Sequence, residues 1–197
     1  IQPTTIPGEK LLNHYLYETS FLYPNHNLYK LHQAIWGRIL KRDAEDKRDF
    51  LYSFVEPDFH SGLMVTVRSS RIPETAPKRR LDIPSSDRPL PFSLRANPTQ
   101  QDEHRKHRGI FGQDSLNAWL QRQGEHHGFT INNARSTQRC TTIKRTGCRP
   151  IMFNDALFIG TLQIIQPSLF NNAMEKGIGR ARGFGYGMLM LTPRRPL

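Results

Sequence analysis

The segment from Gly177 to Gly187 constrains the fold of this chain more than any other. It follows a stretch of helical periodicity, has glycine at five of its eleven positions, and leads directly into apolar residues at 188–191. The predicted order is therefore helix, loop, strand. A dinucleotide-binding motif needs strand, loop, helix, and here Arg182 stands where that motif has its third glycine. A nucleoside-triphosphate P-loop is excluded as well, because no G-K-[ST] ending follows.

The composition of this segment, hereafter the glycine loop (residues 177–187), favours an anionic ligand. Closely spaced glycines let backbone N–H groups approach a ligand, and successive N–H groups form anion-binding concavities. Arg180 and Arg182 add guanidinium groups that can hold a phosphate in a bidentate manner. We therefore predict a phosphate-binding loop in which Gly177 and Gly179 make backbone contacts. The alternative is a flexible turn between a helix and a strand.

The charge of the whole chain supports an anionic partner. Its 197 residues include 28 Lys and Arg against 17 Asp and Glu, a formal net charge of +11. A chain with this charge should attract polyanions, of which nucleic acid is the commonest in a cell. An anionic membrane surface is the alternative, but we expect no membrane association because no long apolar run or basic amphipathic helix is present.

Metal-ligand patterns are weak in this sequence. Cys140 and Cys148 are too few for a disulfide scaffold or a four-ligand zinc site, and the histidines at 104, 107, 126 and 127 lack further ligands at suitable spacing. Acidic residues between 43 and 49 alternate with basic ones such as Arg48, which predicts surface ion pairs rather than a two-metal site. We expect a cytoplasmic protein with no metal and no other cofactor.

Hydrophobic periodicity divides the chain into two runs of elements. The first run has strands at 13–21, 51–55, 63–67 and 90–95 and a helix at about 28–40, with an irregular proline-rich connection at 71–91. The second has helices at about 113–123 and 167–176 and strands at 129–133, 139–145, 149–165 and 187–192. This order predicts an α+β fold of two tandem ferredoxin-like (RRM-like) domains, residues 1–98 (1–12 being an extension) and 99–197.

Five short strings occur in a recognisable order along the chain, at residues 28–36, 48–52, 94–98 and 118–122, and in the glycine loop with its tail at 189–193. Together they resemble the CasE-type CRISPR RNA endoribonucleases, the processing subunits of type I-E Cascade complexes, over residues 13–193. The resemblance implies two domains facing each other across a basic cleft.

The resemblance also implies an activity. Members are metal-independent endoribonucleases that cleave CRISPR repeat RNA at the base of its stem-loop. The ribose 2′-OH attacks the adjacent phosphate and leaves a 2′,3′-cyclic phosphate. The enzyme then remains on the 3′ stem-loop of the mature crRNA, together with the other subunits of a Cascade-like effector complex.

The family's catalytic histidine falls on His32 and its neighbouring tyrosine on Tyr29. Histidine suits this reaction because its pKa of about 6.5 lets it accept or donate a proton near neutral pH. The two positions are three residues apart, so both side chains project from one face of a helix. The alternative is a core histidine whose nitrogens are satisfied by the protein itself.

Other residues match the family's RNA-binding segments. Arg95 and Asn97 lie in its Arg-Ala-Asn-Pro string, although Ser93 stands where the family often has a further arginine. The hairpin at 139–149 corresponds to the segment that grips the RNA stem, through Arg139, Lys144, Arg145 and Arg149. We expect contacts to phosphates and 2′-OH groups, because the A-form major groove is too narrow to read. The alternative for such residues is a solvated strand face.

Two other functions fit the sequence. The chain could be a non-catalytic subunit that holds a crRNA hairpin, which an RNA cleavage assay would distinguish from an enzyme. It could also be a scaffold that docks on an acidic partner, which would show no preference for a hairpin over generic RNA.

Overall fold

The computed structural model of the chain describes residues 15–41, 48–57, 62–84, 88–143 and 147–191. The strands in these ranges are β1 Tyr17–Tyr23, β2 Phe50–Val55, β3 Leu63–Ser69, β4 Arg79–Arg80, β5 Leu90–Ala96, β6 Thr99–Gln101, β7 His107–Gly109, β8 Phe129–Ile143, β9 Ile151–Ile164 and β10 Leu189–Leu191. The helices are α1 Leu28–Ala34, α2 Gln113–His127 and α3 Pro167–Lys176, with a π-helical turn Ile35–Ile39 after α1 and a 3₁₀ turn Arg182–Phe184.

Two four-stranded antiparallel sheets organise the molecule. The first has the order β2-β3-β1-β4 and the second the order β10-β5-β9-β8. In the first sheet β1 pairs with β3 and β4, and in the second β5 pairs with β9 and β10. A first strand that lies between the third and fourth strands of its unit is the ferredoxin-like arrangement. The second unit is a complete β-α-β-β-α-β unit, whereas residues 70–78 of the first contain no helix between β3 and β4. The predicted α+β class with tandem ferredoxin-like units is confirmed.

The strand β5 lies in a different sheet from the one the sequence predicts. We expected it to complete the first unit, but it pairs with β9 and β10 at the centre of the second sheet. The place beside β1 is taken by β4, which comes from the predicted irregular connection. Both β4 residues are exposed arginines, so this strand has no apolar periodicity to reveal it. We therefore propose that the second domain begins before Leu90 rather than at residue 99.

The second sheet is extended by one long hairpin. The strands predicted at 129–133 and 139–145 form the single strand β8, which pairs with β9 from Phe129 opposite Ile164 to Ile143 opposite Ile151. A register shift between Ile131 and Asn133 marks a bulge, which inserts a residue without ending a strand.

The buried apolar residues form two hydrophobic cores, one centred on each sheet. The first contains Leu31 of α1, Ile35 of the π-helical turn, and Val65 and Val67 of β3, all fully buried. Phe50 and Phe54 of β2 belong to the same core, as predicted. In the second, Trp119 of α2 stacks on Phe158 of β9 with ring centroids 5.7 Å apart. The helical periodicity that predicted α1 and α2 therefore reflects their core-facing sides.

A buried arginine of the first unit also bonds to the second unit. Arg68 of β3 is 1% exposed and donates to a carboxylate oxygen of Glu18 at 2.6 Å. Its Nη1 also donates to the carbonyl of Met174 in α3 at 3.1 Å. Because a buried guanidinium must have its donors satisfied, these bonds fix α3, and the loop that follows it, against the first sheet.

Candidate active site

His32 lies near the end of α1 among aromatic side chains. The centroids of the neighbouring rings are 5.9 Å away for Phe50, 6.0 Å for Trp36 and 6.4 Å for Tyr52 and Phe184. Asn27 caps the start of α1 by accepting hydrogen bonds from the N–H groups of Tyr29 and Lys30. The imidazole is half-buried and held by packing on several sides.

One ring nitrogen of His32 is unsatisfied among the described residues, which the alternative of a fully satisfied core histidine does not predict. This atom, Nδ1, is buried and has no hydrogen-bond partner in the part of the chain that the structure describes. Burial lowers the pKa of His32, the positive charge of Arg48 lowers it further, and a hydrogen bond to the Gly183 backbone partly opposes both. The imidazole is therefore neutral at pH 7, the form that can accept a proton.

The glycine loop brings its 3₁₀ turn against this histidine. A Cβ added at Gly183 would lie 3.9 Å from His32 Cε1 and 3.0 Å from Arg48 Nη1. Tyr52 Oη donates to the Gly183 carbonyl at 3.0 Å, which fixes the turn to β2. Burial raises the pKa of Tyr52 well above its usual range, so the phenol remains a donor at all ordinary pH values.

Arg48 places a positive charge beside the imidazole, and Arg182 lies close enough to Arg48 to act on its charge; these two residues are hereafter the arginine pair. Arg48 is exposed as a residue, yet partial burial of its guanidinium lowers its pKa, and the charge of Arg182 lowers it further. Among the described residues neither arginine forms an ion pair with a carboxylate, and Arg182 Nη1 donates to the Lys176 carbonyl at 2.6 Å. Like charges held close without acidic partners form a site for an anion.

Sequence reasoning missed Arg48. It assigned this residue to surface ion pairs with the acidic residues between 43 and 49. Asp43, Glu45 and Asp46 lie outside the described residues, and Asp49 pairs with Arg71 at 2.5 Å. The available signal was the position of Arg48 two residues before β2, whose side chains line the histidine. Packing of α1 on the sheet, which is not visible in sequence, brings that position to the histidine.

Tyr29 lies one turn before His32 on α1, as the spacing predicts. It is half-buried and packs against the core of the first unit. The structure therefore brings Tyr29, His32 and Arg182 into one region, although Arg182 is about 150 residues away from the other two in sequence. The roles of these residues stay predictions.

Two of the predicted RNA-binding arginines lie in an internal ion-pair network. Arg95 donates to both carboxylate oxygens of Asp155, at 2.7 and 3.0 Å, and stacks on the ring of Phe54. Arg139 donates to Asp155 at 2.9 Å and to Glu56 at 3.3 Å. Arg95 is largely covered, whereas the Arg139 side chain is 49% exposed. Of these two arginines, Arg139 exposes enough of its side chain to contact RNA.

Three further predicted residues have packing roles in the structure. The Asn97 side chain accepts a hydrogen bond from the Asn154 backbone N–H at 2.9 Å. The buried Gly177 donates its N–H to the Ala173 carbonyl at the end of α3. A Cβ at Gly179 would lie 3.2 Å from the Trp119 ring, at a positive φ of 75°. For these residues, contact with RNA stays a prediction that their geometry does not favour.

The remaining predicted RNA-binding residues are exposed or lie outside the described ranges. Arg149 is exposed next to the turn of the β8–β9 hairpin. Arg180 is exposed and bonds to His107. Lys144 and Arg145 lie outside the described residues.

The described residues contain no group of three His, Cys, Asp or Glu side chains arranged to hold a metal ion. Within the same ranges, none of the helices has the length and apolar character needed to cross a bilayer.

Comparison with known proteins identifies the family. The family model described as "CRISPR associated protein" matches residues 19–193, most of the chain. The chain belongs to this family. The membership expected from the five sequence strings is thus confirmed. No curated protein matches the chain.

Solved structures of CRISPR proteins share the fold. CRISPR endoribonuclease Cse3 bound to a 19-nucleotide RNA matches with a TM-score of 0.76 and 20% identity, over 91% of this chain and 100% of that one. The CRISPR-associated protein Cas6e from Escherichia coli K-12 matches with a TM-score of 0.69 and 22% identity, over 91% and 100%. A chain of a CRISPR RNA-guided surveillance complex matches with a TM-score of 0.68 and 18% identity, over 89% and 98%. At these identities the likeness concerns the fold.

Proposed function

We propose that this CRISPR-associated protein is a metal-independent endoribonuclease that cleaves CRISPR repeat RNA at the base of its stem-loop. The observation that carries the proposal is the half-buried imidazole of His32, with its lowered pKa, beside an arginine pair that has no carboxylate partner among the described residues. A neutral base can accept the proton of the attacking hydroxyl, and fixed cations can stabilise the charge that develops on the phosphate.

The reaction follows from these groups. His32 removes the proton of the ribose 2′-OH, and the 2′ oxygen attacks the adjacent phosphorus. The bond from phosphorus to the 5′ oxygen then breaks, which leaves a 2′,3′-cyclic phosphate and a 5′-OH after the imidazolium returns its proton to the leaving oxygen. Arg48 and Arg182 stabilise the negative charge that grows on the phosphate oxygens, and Tyr29 orients the phosphate.

The binding partners are proposed on the same basis. The chain has the fold of Cse3 in an RNA complex and of a chain within an RNA-guided surveillance complex. We propose that it remains on the 3′ stem-loop of the crRNA after cleavage and joins the other subunits of a Cascade-like effector complex. The half-exposed side chain of Arg139 and the exposed Arg149 on the β8–β9 hairpin would contact the stem.

The test is a cleavage assay on a repeat RNA that contains the stem-loop identified by sequencing copurified RNA and extends past the base of the stem on both sides. The wild-type chain should produce a 2′,3′-cyclic phosphate with or without EDTA. His32→Ala should slow cleavage by about 10²–10⁴-fold while binding stays within a few-fold, since proton transfer affects rate rather than ground-state affinity.

A substrate with 2′-deoxyribose at the cut position should bind and resist cleavage. Cleavage of that deoxy substrate, or inhibition by EDTA, would show that a metal-bound water is the nucleophile instead. Tight binding of the hairpin without any cleavage by the wild-type chain would show the non-catalytic subunit. Equal binding of the hairpin and generic RNA would favour the scaffold.

A further inference from the structure

The β6–β7 hairpin, between β5 and α2, is ordered by its own contacts. Asp102 accepts hydrogen bonds from the backbone N–H groups of His104 and Lys106, at 3.0 and 2.8 Å. Its second carboxylate oxygen accepts from Arg108 Nε at 2.8 Å. Because one carboxylate fixes both the turn and a strand, the hairpin presents its remaining side chains in a fixed arrangement.

The cations of this hairpin are directed to solvent. Arg105, at the tip, has a positive φ of 59°, and both it and Lys106 are exposed. Within the described ranges neither forms an ion pair, whereas Arg108 is paired with Asp102 and the exposed Glu103 lies 3.6 Å from His104. Arg105 and Lys106 are therefore available to an anionic ligand.

A contact joins this hairpin to the candidate active site. Arg180 Nη1 bonds to His107 Nε2 at 3.0 Å, so the glycine loop and β7 meet side by side. Arg182 follows two residues later, at most about 7 Å further along the backbone. The hairpin thus lies against the loop that carries Arg182.

An aromatic ring follows this hairpin in the chain. Phe111 follows β7 and is 65% exposed, against 3% for Phe50 in the core. Its ring packs against Gly109: a Cβ atom added to that glycine would lie 3.2 Å from the ring. An exposed ring in the same segment of chain as exposed cations is an arrangement with which proteins bind the bases and phosphates of single strands.

We propose that Phe111, Arg105, Lys106 and Arg180, hereafter the strand-binding surface, bind the unpaired RNA that leaves the base of the stem-loop. Phe111 stacks on a base, and the three cations contact phosphates. The inference rests on the proposed function for the position of the stem. A duplex does not fit Phe111, because paired bases are stacked on each other and offer no free face.

The experiment measures binding of a stem-loop with 2′-deoxyribose at the cut position. The stem is the one identified by sequencing copurified RNA, with no flank or with eight unpaired adenosines on its 5′ or its 3′ side. The wild-type chain should bind one flanked RNA at least about fivefold more tightly than the bare stem-loop. Phe111→Ala and Phe111→Leu should remove this gain, and Phe111→Trp should keep it.

Charge variants test the binding of phosphates. Arg105→Ala with Lys106→Ala should flatten the salt dependence of flanked binding, by about 0.7 in log–log slope for each phosphate that is no longer neutralised. The charge-matched control, Arg80→Ala with Arg122→Ala on β4 and α2, should leave the gain from the flank unchanged. A thermal melt of each variant confirms that it is folded.

The outcomes separate this inference from the proposed function. If the natural RNA is cleaved but neither flank improves binding, or if Phe111→Ala keeps the full gain, the strand-binding surface does not bind RNA. If the wild-type chain does not cleave, the proposed function fails, while a flank effect that depends on Phe111 would still support the surface. Loss of binding to effector subunits in Phe111→Ala, with flank binding intact, would assign the surface to a protein partner and overturn the inference.

Discussion

Tyr52 Oη donates a hydrogen bond to the carbonyl of Gly183 at 3.0 Å, although 131 residues separate them. This bond fixes the glycine loop to β2 in the same region where the imidazole of His32 meets the loop. The position of the arginine pair relative to the imidazole therefore depends on a contact between the two units.

Removal of the Tyr52 hydroxyl is the first prediction. Tyr52→Phe keeps the ring in the core and removes only the bond to Gly183. We expect about 0.5–1.5 kcal/mol less stability in urea unfolding, the usual net contribution of one hydrogen bond. Cleavage should slow by a larger factor than this loss of stability explains, because the loop is no longer held at the histidine. An unchanged cleavage rate would show that the bond has only a structural role.

Two glycines of the loop should respond differently to substitution. At Gly185, φ is +85° and a Cβ would lie 2.7 Å from the Phe54 ring, so Gly185→Ala should lower stability and activity together. At Gly183, a Cβ would lie 3.0 Å from the flexible end of Arg48, so Gly183→Ala should remain folded. Its cleavage rate should fall because Arg48 must move. A thermal melt and a single-turnover assay on both variants test this contrast.

The acid limb of kcat/KM should report the pKa of His32. The folded-state pKa is lowered, so the imidazole remains neutral below pH 6.5 and the rate falls as pH drops through that lower value. Arg48→Gln removes the neighbouring positive charge and should move the midpoint of this limb upward, whatever its effect on the maximal rate. Arg122→Gln, a change of equal charge on the exposed side of α2, is the control. A midpoint that Arg48→Gln leaves in place would mean that another group titrates.

The same pKa predicts a pH dependence of stability. In the window between the folded-state value and 6.5, the unfolded chain binds more protons at His32 than the folded chain does. The contribution of His32 to stability is therefore complete above about pH 6.5 and is lost as pH falls through the folded-state value. Urea unfolding across this range, compared between the wild type and His32→Ala, measures the difference.

Two variants of the ion-pair network around Asp155 should have different effects, one on stability and the other on RNA binding. Asp155 is 1% exposed and accepts from Arg95, Arg139 and Thr141, so Asp155→Asn leaves the covered Arg95 without its counter-charge. We expect a loss of about 3–5 kcal/mol in urea unfolding.

Glu56→Gln is the matched variant for this network. The pair between Glu56 and Arg139 is 39% and 49% exposed, so its loss should cost less than about 1 kcal/mol. It should also tighten RNA binding, because Glu56 no longer competes with phosphate for Arg139. Weaker binding by Glu56→Gln would indicate that Glu56 holds Arg139 in its binding position.

The sequence by itself determined the local elements and the chemistry of single residues. Periodicity in α1, α2 and β3 follows from one-sided burial, which leaves a pattern along the chain. The resemblance pointed to Tyr29 and His32, which periodicity placed on one helix, and the glycine loop was identified because its residues are contiguous. Features of this kind depend on neighbours within a few residues, so they can be read without the fold.

The tertiary structure decided which distant residues meet. Strand β5 lies in the second sheet, and Arg79–Arg80 occupies the edge beside β1 where β5 was expected. The sequence does not show this pairing, because hydrogen bonds between backbones leave no pattern in the side chains. Arg48 became part of the site because β2 lies against α1, and Arg95 was withdrawn from solvent because β9 places Asp155 next to it. Whether a charge faces solvent, a partner or a reacting phosphate is set by contacts across about 60 to 150 residues of chain, and those contacts form only when the chain is folded.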